Sequence, residues 1–263
     1  MTKASRRHEP RAPSLALLAL EPWRATIDLT ASFLGTPPPR VGDGHAVLVL
    51  PGLGAGDWST LRLRRALDRA GFLASAWGQG LNRGPEGDFD EWLAPLEEKV
   101  LALHRDTGRK VSLVGWSLGG IYARELAKRL PQQVRQVITL GTPFAGVAAS
   151  NAQAAFRLLN RGRSQLTPGL QARLRQDPPV PATALYSRTD GVVAWQSCML
   201  RESPRAENIE VSCASHCGMG AHPQVLRIVV DRLAQPDGQW RPWQRPDARH
   251  PTRGSALRPH SLV

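Results

Sequence analysis

Val111-Ser112-Leu113-Val114-Gly115-Trp116-Ser117-Leu118-Gly119-Gly120 is the stretch whose reading decides the fold. Its first four residues are apolar or small and β-branched at the start, which predicts a short buried strand. The residues from Leu118 to Leu130 place apolar side chains at 118, 122, 123, 126, 127 and 130, the spacing of a helix that Pro131 closes. Between the two lies Gly-x-Ser-x-Gly. A serine there must occupy a tight, strained turn, so its neighbours two residues away on either side have no room for a Cβ. The helix that follows offers unpaired N–H groups and the positive end of its dipole to any negative charge forming at the serine.

Working outward, the chain has 263 residues and 41% hydrophobic content, which fits one α/β domain with an ample core. No apolar run reaches the roughly 18–20 residues needed to span a bilayer, so no stable membrane span is expected. Lys3, Arg6, Arg7 and Arg11 followed by Leu15 to Leu20 imitate a secretory signal. The apolar part is only about seven residues long, however, and Glu21-Pro22-Trp23 follows it where a small-x-small cleavage site would stand. The preferred reading is a helix packed on the domain in a cytoplasmic protein, with export left open. The formal charge is +12. Residues 1–13 contribute four basic and one acidic group and residues 236–263 five and two, so half of the excess belongs to the two ends. No basic stripe with interleaved aromatics and no recognition helix stands out, and no nucleic-acid partner is expected; weak attraction to anionic surfaces fits the charge. Cys198, Cys213 and Cys217 form neither a CxxC nor an even set, so no metal site is indicated. Pairing of Cys198 with Cys217 and three reduced thiols both stay open.

Along the chain, residues 1–13 read as a disordered basic N-terminus, 14–243 as the folded domain and 244–263 as a disordered tail. Residues 14–35 predict a helix interrupted near Pro22 and ended by Gly35, with a stiff Pro37-Pro38-Pro39 linker after it. Ala46 to Leu50 predicts a parallel strand covered on both faces. A helix at 58–70 with Asp57 as N-cap and Gly71 as stop comes next, then a strand from Leu73 to Trp77 and a Gly- and Asn-containing loop from Gly78 to Asp88. Helix 90–106, strand 134–140, strand 183–187, strand 208–213 and helix 223–233 complete the alternation. That pattern predicts a mostly parallel sheet with helices on both faces. The segment 144–181 is too long for a simple crossover and reads as a small, basic cap insertion containing one helical patch near 150–161.

The Gly-x-Ser-x-Gly between strand and helix resembles the nucleophile elbow of the α/β-hydrolases, whose partners follow in the order serine, acid, histidine. Five Asp follow Ser117, and Asp190 alone stands just past the carboxyl end of a predicted strand, the edge where open α/β sheets gather their sites. Gly191 suits a tight turn, and Val192-Val193 would shield the carboxylate. Of the later histidines, His250 and His260 lie in the tail. His216 follows the last strand closely enough for its loop to reach back over Ser117; His222, before Pro223, reads as a cap or surface residue and remains the alternative base.

Taken together, Leu50-Pro51-Gly52-Leu53-Gly54, the elbow, Leu140-Gly141-Thr142-Pro143, Tyr186-Ser187-Arg188-Thr189-Asp190-Gly191-Val192-Val193 and Ser215-His216-Cys217-Gly218-Met219-Gly220 resemble small bacterial esterases and lipases of that superfamily. The resemblance runs from about Ala46 to Leu233. It implies an α/β-hydrolase fold with Ser117 as nucleophile, His216 as base and Asp190 as the orienting acid. It implies oxyanion donors at the backbone N–H groups of Leu53 and Leu118, and a small acyl ester or lipid as substrate, with neither cofactor nor metal. Pro51 departs from the His that many lipases carry before the Gly. The activity implied is hydrolysis of carboxylic esters. An acyltransferase on the same triad and a non-catalytic binding protein on the same scaffold are the alternatives.

Overall fold

A computed structural model describes residues 11–146, 150–161, 163 and 167–244. Thus residues 1–10 of the expected N-terminal arm, 245–263 of the expected tail, and 147–149, 162 and 164–166 of the cap lie outside the described residues. The elements in chain order are α1 (Leu15–Leu34), β1 (Ala46–Leu50), α2 (Leu61–Ala70), β2 (Leu73–Ala76), α3 (Phe89–Thr107), β3 (Val111–Trp116), α4 (Leu118–Arg129), β4 (Val134–Leu140), α5 (Gln153–Asn160), α6 (Pro168–Leu174), β5 (Ala182–Tyr186), β6 (Ala206–Glu210) and α7 (Pro223–Leu233).

The strands form a six-stranded sheet in the order β2-β1-β3-β4-β5-β6, and every pairing is parallel. Period-two alternation sorts the strand side chains between two apolar layers. Val47, Val49, Val114, Ile138, Leu185 and Ile209 join the layer that contains α2 and α7. Ala46, Leu48, Leu50, Leu113 and Val137 join the layer that contains α3 and α4. β1 and β4 are buried at every residue, as a sheet covered on both faces requires.

Several sequence boundaries shift for local reasons. α2 begins at Leu61 with Thr60 as N-cap; Asp57 instead uses its carboxylate to accept the Gly78 N–H at 3.3 Å. The proline-containing stretch around 168 is not loop but a second cap helix, α6, with Pro168 in its first turn and the Thr167 side chain accepting from Leu170 N. β6 ends at Glu210 rather than 213, which lengthens the loop carrying His216.

α1 differs most. It passes through Pro22 without interruption. Its packing is also inverted: the buried residues are Glu21, Asp28 and Ser32, while Leu20, Trp23, Ile27, Phe33 and Leu34 are exposed. An ordinary surface helix does the reverse. What α1 packs against explains the inversion, because it lies against the two loops that follow β5 and β6.

Candidate active site

Ser117 sits between β3 and α4 at φ 51° and ψ −121°, the left-handed side that an L-residue avoids. The flanking glycines make the turn sterically feasible. A Cβ on Gly115 would stand 2.3 Å from Gly120 Cα, and one on Gly119 would stand 2.4 Å from the Leu50 carbonyl oxygen. Neither neighbour is a flexible side chain, so both positions exclude any larger residue.

The loops after β5 and β6 bring two partners to this serine. His216 Nε2 lies 3.0 Å from Ser117 Oγ, and His216 Nδ1 lies 2.7 Å from Asp190 Oδ2. The other Asp190 oxygen accepts the N–H groups of Val192 and Val193, both at 2.8 Å. Those residues therefore hold the carboxylate through their main chain, more than by the apolar shielding that their side chains suggest. Trp116 Nε1 donates to the His216 carbonyl at 3.0 Å, fixing the histidine from beneath. Gly141 stands at φ 55°, and a Cβ there would come within 3.2 Å of His216 Nδ1 and 3.3 Å of Asp190 Oδ2. The Gly-Thr-Pro stretch thus leaves room for the pair. Burial on its own depresses the His216 pKa, but the charge and hydrogen bond of Asp190, with Glu21 beyond it, outweigh burial and raise it above the ordinary 6.5. His222 is elsewhere engaged: it caps α7, its ring accepting the Gln224 N–H at 3.2 Å.

α1 secures both loops, a contribution absent from the sequence reading. Glu21 is 2% exposed. Its Oε1 accepts from Gly191 N at 2.8 Å and His216 N at 3.1 Å, and its Oε2 accepts from Cys217 N at 2.9 Å. Arg24 donates to the Thr189 hydroxyl at 2.8 Å and to the carbonyls of Thr189, Cys213 and Ala214. Asp28 accepts from Ser215 N at 2.9 Å and Ser215 Oγ at 2.6 Å. Gly191 is small because α1 is close: a Cβ there would lie 2.5 Å from the Leu17 carbonyl oxygen. The signal was present in the spacing 21, 24, 28, a charged stripe along an otherwise uncharged helix.

On the opposite side, the loop after β1 presents Leu53 to the cavity next to Ser117. Gly52 lies close enough that a Cβ on it would be 3.2 Å from Ser117 Cβ. Asn82, fully buried in the loop after β2, holds this segment: its Nδ2 donates to the Pro51 carbonyl at 2.9 Å, while its own carbonyl accepts the Gly54 N–H at 2.8 Å. Its Oδ1 accepts the Tyr122 hydroxyl at 3.1 Å. Asn82 is a second residue that the sequence reading passed over, lost in a loop noted only for its composition. The N–H groups of Leu53 and Leu118 have no acceptor among the described residues.

A cavity of about 410 Å³ opens at Ser117. Leu118, Ile121, Tyr122, Phe144 and Leu174 give it apolar walls, and Phe156 and Arg157 of α5 with Arg175 after α6 form part of its lining. The cap segment therefore covers the site. Cys198, Cys213 and Cys217 are free thiols. No group of three or more His, Cys, Asp and Glu among the described residues is placed to hold a metal ion.

Comparison with known proteins bears on the family and the fold. A sequence model described as the alpha/beta hydrolase family matches residues 47–203. Serine hydrolase BPHL of Mus musculus is 36% identical over 109 residues, covering 39% of this chain and 38% of that protein. Serine hydrolase BPHL of Homo sapiens is 32% identical over 140 residues, covering 51% of this chain and 48% of its own. The matched part thus spans less than half the length of these curated relatives. Among solved structures, mature Bacillus licheniformis lipase BlEst2 superposes with a TM-score of 0.55 at 19% identity, covering 74% of this chain and 94% of that one. That identity speaks for the fold alone.

Proposed function

This chain belongs to the alpha/beta hydrolase family, and on that premise we propose that it hydrolyses carboxylic esters of lipid-like or other acyl substrates through a covalent Ser117 acyl-enzyme. The observation that carries the reading is the unbroken chain Ser117 Oγ, His216 Nε2, His216 Nδ1, Asp190 Oδ2, with links of 3.0 and 2.7 Å, opening on an apolar cavity.

In this mechanism Ser117 Oγ attacks the ester carbonyl carbon while its proton passes to His216 Nε2. Asp190 fixes the tautomer that leaves Nε2 free to accept, and stabilises the imidazolium that forms. The oxyanion is received by the N–H groups of Leu53 and Leu118, neither of which has an acceptor among the described residues. Collapse breaks the bond to the alcohol oxygen, which leaves with the proton from His216. Water then attacks the acyl carbon, giving its proton to His216, and the carboxylic acid departs with Ser117 restored. The raised His216 pKa makes its imidazole a stronger base toward the Ser117 hydroxyl proton.

The test is a series of p-nitrophenyl esters of increasing chain length with wild type and Ser117→Ala, together with labelling by a fluorophosphonate. Turnover and labelling that both vanish in the variant support the reading. Equal rates from the two proteins overturn it.

A further inference from the structure

We propose that the outward face of α1 docks on an anionic phospholipid bilayer, lying along its surface without crossing it. The helix is 20 residues long, about 30 Å. Its only acidic residues, Glu21 and Asp28, are buried in the bonds to the catalytic loops, and its one basic residue, Arg24, is turned inward with them. What remains outside is uncharged along its whole length, with Leu20 50%, Trp23 68%, Ile27 51% and Leu34 84% exposed. Steps of three, four and seven residues put these on one stripe. Scattered exposed leucines need no explanation, but a continuous stripe containing a tryptophan does. No helix among the described residues is long and apolar enough to cross a membrane, so the helix is suited to lie in the interface.

Charge selects the occupant. Beside the carboxyl end of α1, a groove lined by Phe33, Trp58, Arg62, Arg65 and Arg69 contains no acidic residue. Arg62 is committed to Ser32 and stacks on Phe33, 4.4 Å from the ring centre; Arg65 and Arg69 are exposed and have no acidic partner among the described residues. Before the amino end the sequence carries Lys3, Arg6, Arg7 and Arg11 against Glu9. An uncharged stripe with exposed arginines beside its carboxyl end suits an anionic bilayer interface, where acyl chains lie next to phosphates. The occupants this chain itself supplies fit worse. A second copy in a two-fold contact would bring the same arginines face to face. The tail from 245 onward is also basic, with Arg245, Arg249, Arg253 and Arg258 against Asp247.

The test is flotation of the full chain with vesicles of phosphatidylcholine alone and of phosphatidylcholine mixed with phosphatidylglycerol. Wild type is expected to float with the mixed vesicles and to be released by salt. Leu20→Ser/Trp23→Ser/Ile27→Ser should weaken binding on the order of a hundredfold or more, since three large apolar groups no longer leave water. Arg65→Glu/Arg69→Glu should weaken it on the order of tenfold. Neither variant alters a side chain that touches the site, so both should hydrolyse a soluble short-chain ester and melt as wild type does. Wild type that stays in the aqueous fraction with both vesicle types overturns the proposal, as does a triple variant that floats equally well. A dimer by light scattering that dissociates in the triple variant, without vesicle binding, overturns it in favour of a second copy. Flotation requires no turnover, so its outcome is independent of the ester-hydrolase reading.

Discussion

Among the described residues two Asp-His-Ser chains stand at opposite ends of the same sheet's strands, and they differ in what can reach them. At the carboxyl edge are Asp190, His216 and Ser117. At the amino edge His45 Nδ1 lies 2.5 Å from Asp43 Oδ1 and His45 Nε2 lies 2.8 Å from Ser112 Oγ. The Asp-His and His-Ser distances are alike, but Arg135 Nη1 also lies 3.0 Å from His45 Nδ1, a contact with no counterpart at His216 among the described residues. Ser112 stands within the extended strand β3, and both it and His45 are fully buried, leaving no approach for a substrate. Asp43 is shared with Arg135, whose guanidinium lies 2.9 Å from Oδ2. Burial is the main cause holding the His45 pKa below 6.5, and the Arg135 charge adds to it against the pull of Asp43; that of His216 is raised. A triad therefore consists of more than three linked side chains: it needs a strained, accessible nucleophile and a carboxylate with no competing cation.

The largest contrast is expected between Ser117→Ala and Ser112→Ala. The first should cut p-nitrophenyl ester turnover by about 10,000-fold or more. The second should leave kcat/KM unchanged and lower the melting temperature, because His45 Nε2 loses its buried partner, a cost of about 1–3 kcal/mol. Activity loss in Ser112→Ala at full folding would show that the two chains are not functionally distinct. Asp190→Asn and Asp43→Asn should divide in the same way. The first is expected to lower kcat by on the order of 1,000- to 10,000-fold through the wrong imidazole tautomer, the second to act on stability alone.

Glu21 sharpens the comparison, since only the carboxyl-edge chain has a second carboxylate behind it. Glu21→Gln retains the side-chain volume but replaces one acceptor with a donor facing a backbone N–H. We expect kcat to fall about tenfold as both loops lose their register. The sign of the pH effect follows from charge. Glu21 helps to raise the His216 pKa, so its neutralisation should move the acid limb of kcat/KM to lower pH. A fall in activity without any movement of that limb would reduce Glu21 to a purely structural contact.

How much of this was readable beforehand depended on which physical rule wrote each part. Parallel strands covered on both faces are continuous apolar runs, so β1 and β4 could be read almost to the residue. The elbow glycines are dictated by contacts with Gly120 and with the distant Leu50 carbonyl, but the Gly-x-Ser-x-Gly pattern makes them visible locally. α1 was legible as a helix, but its function was not. A helix that turns Glu21, Arg24 and Asp28 inward breaks the usual rule of burial, and the partners that repay this are backbone N–H and carbonyl groups 165 to 196 residues distant in the chain. Asn82 was hidden for the same reason, because its bonds to Pro51 and Gly54 leave no mark on the period or spacing of its own loop.

The smallest expected effect concerns stability against pH, where the two histidines pull in opposite directions. His216 has a folded pKa above the ordinary 6.5, so the folded state takes up a proton first as pH falls. Its contribution is complete below 6.5 and is lost as pH rises through the folded value. His45 has a folded pKa below 6.5, so the unfolded chain takes up the proton first. Its contribution is complete above 6.5 and is lost as pH falls toward the folded value. Melting temperature should therefore pass through a maximum near pH 6.5 as far as these two groups govern it. His216→Gln should flatten the alkaline side of that maximum and His45→Gln the acid side, each seen as the difference from wild type so that groups common to all three proteins cancel. If both substitutions flatten the same side, the two histidines have the same electrostatic character, and accessibility alone distinguishes the reactive chain from the inert one.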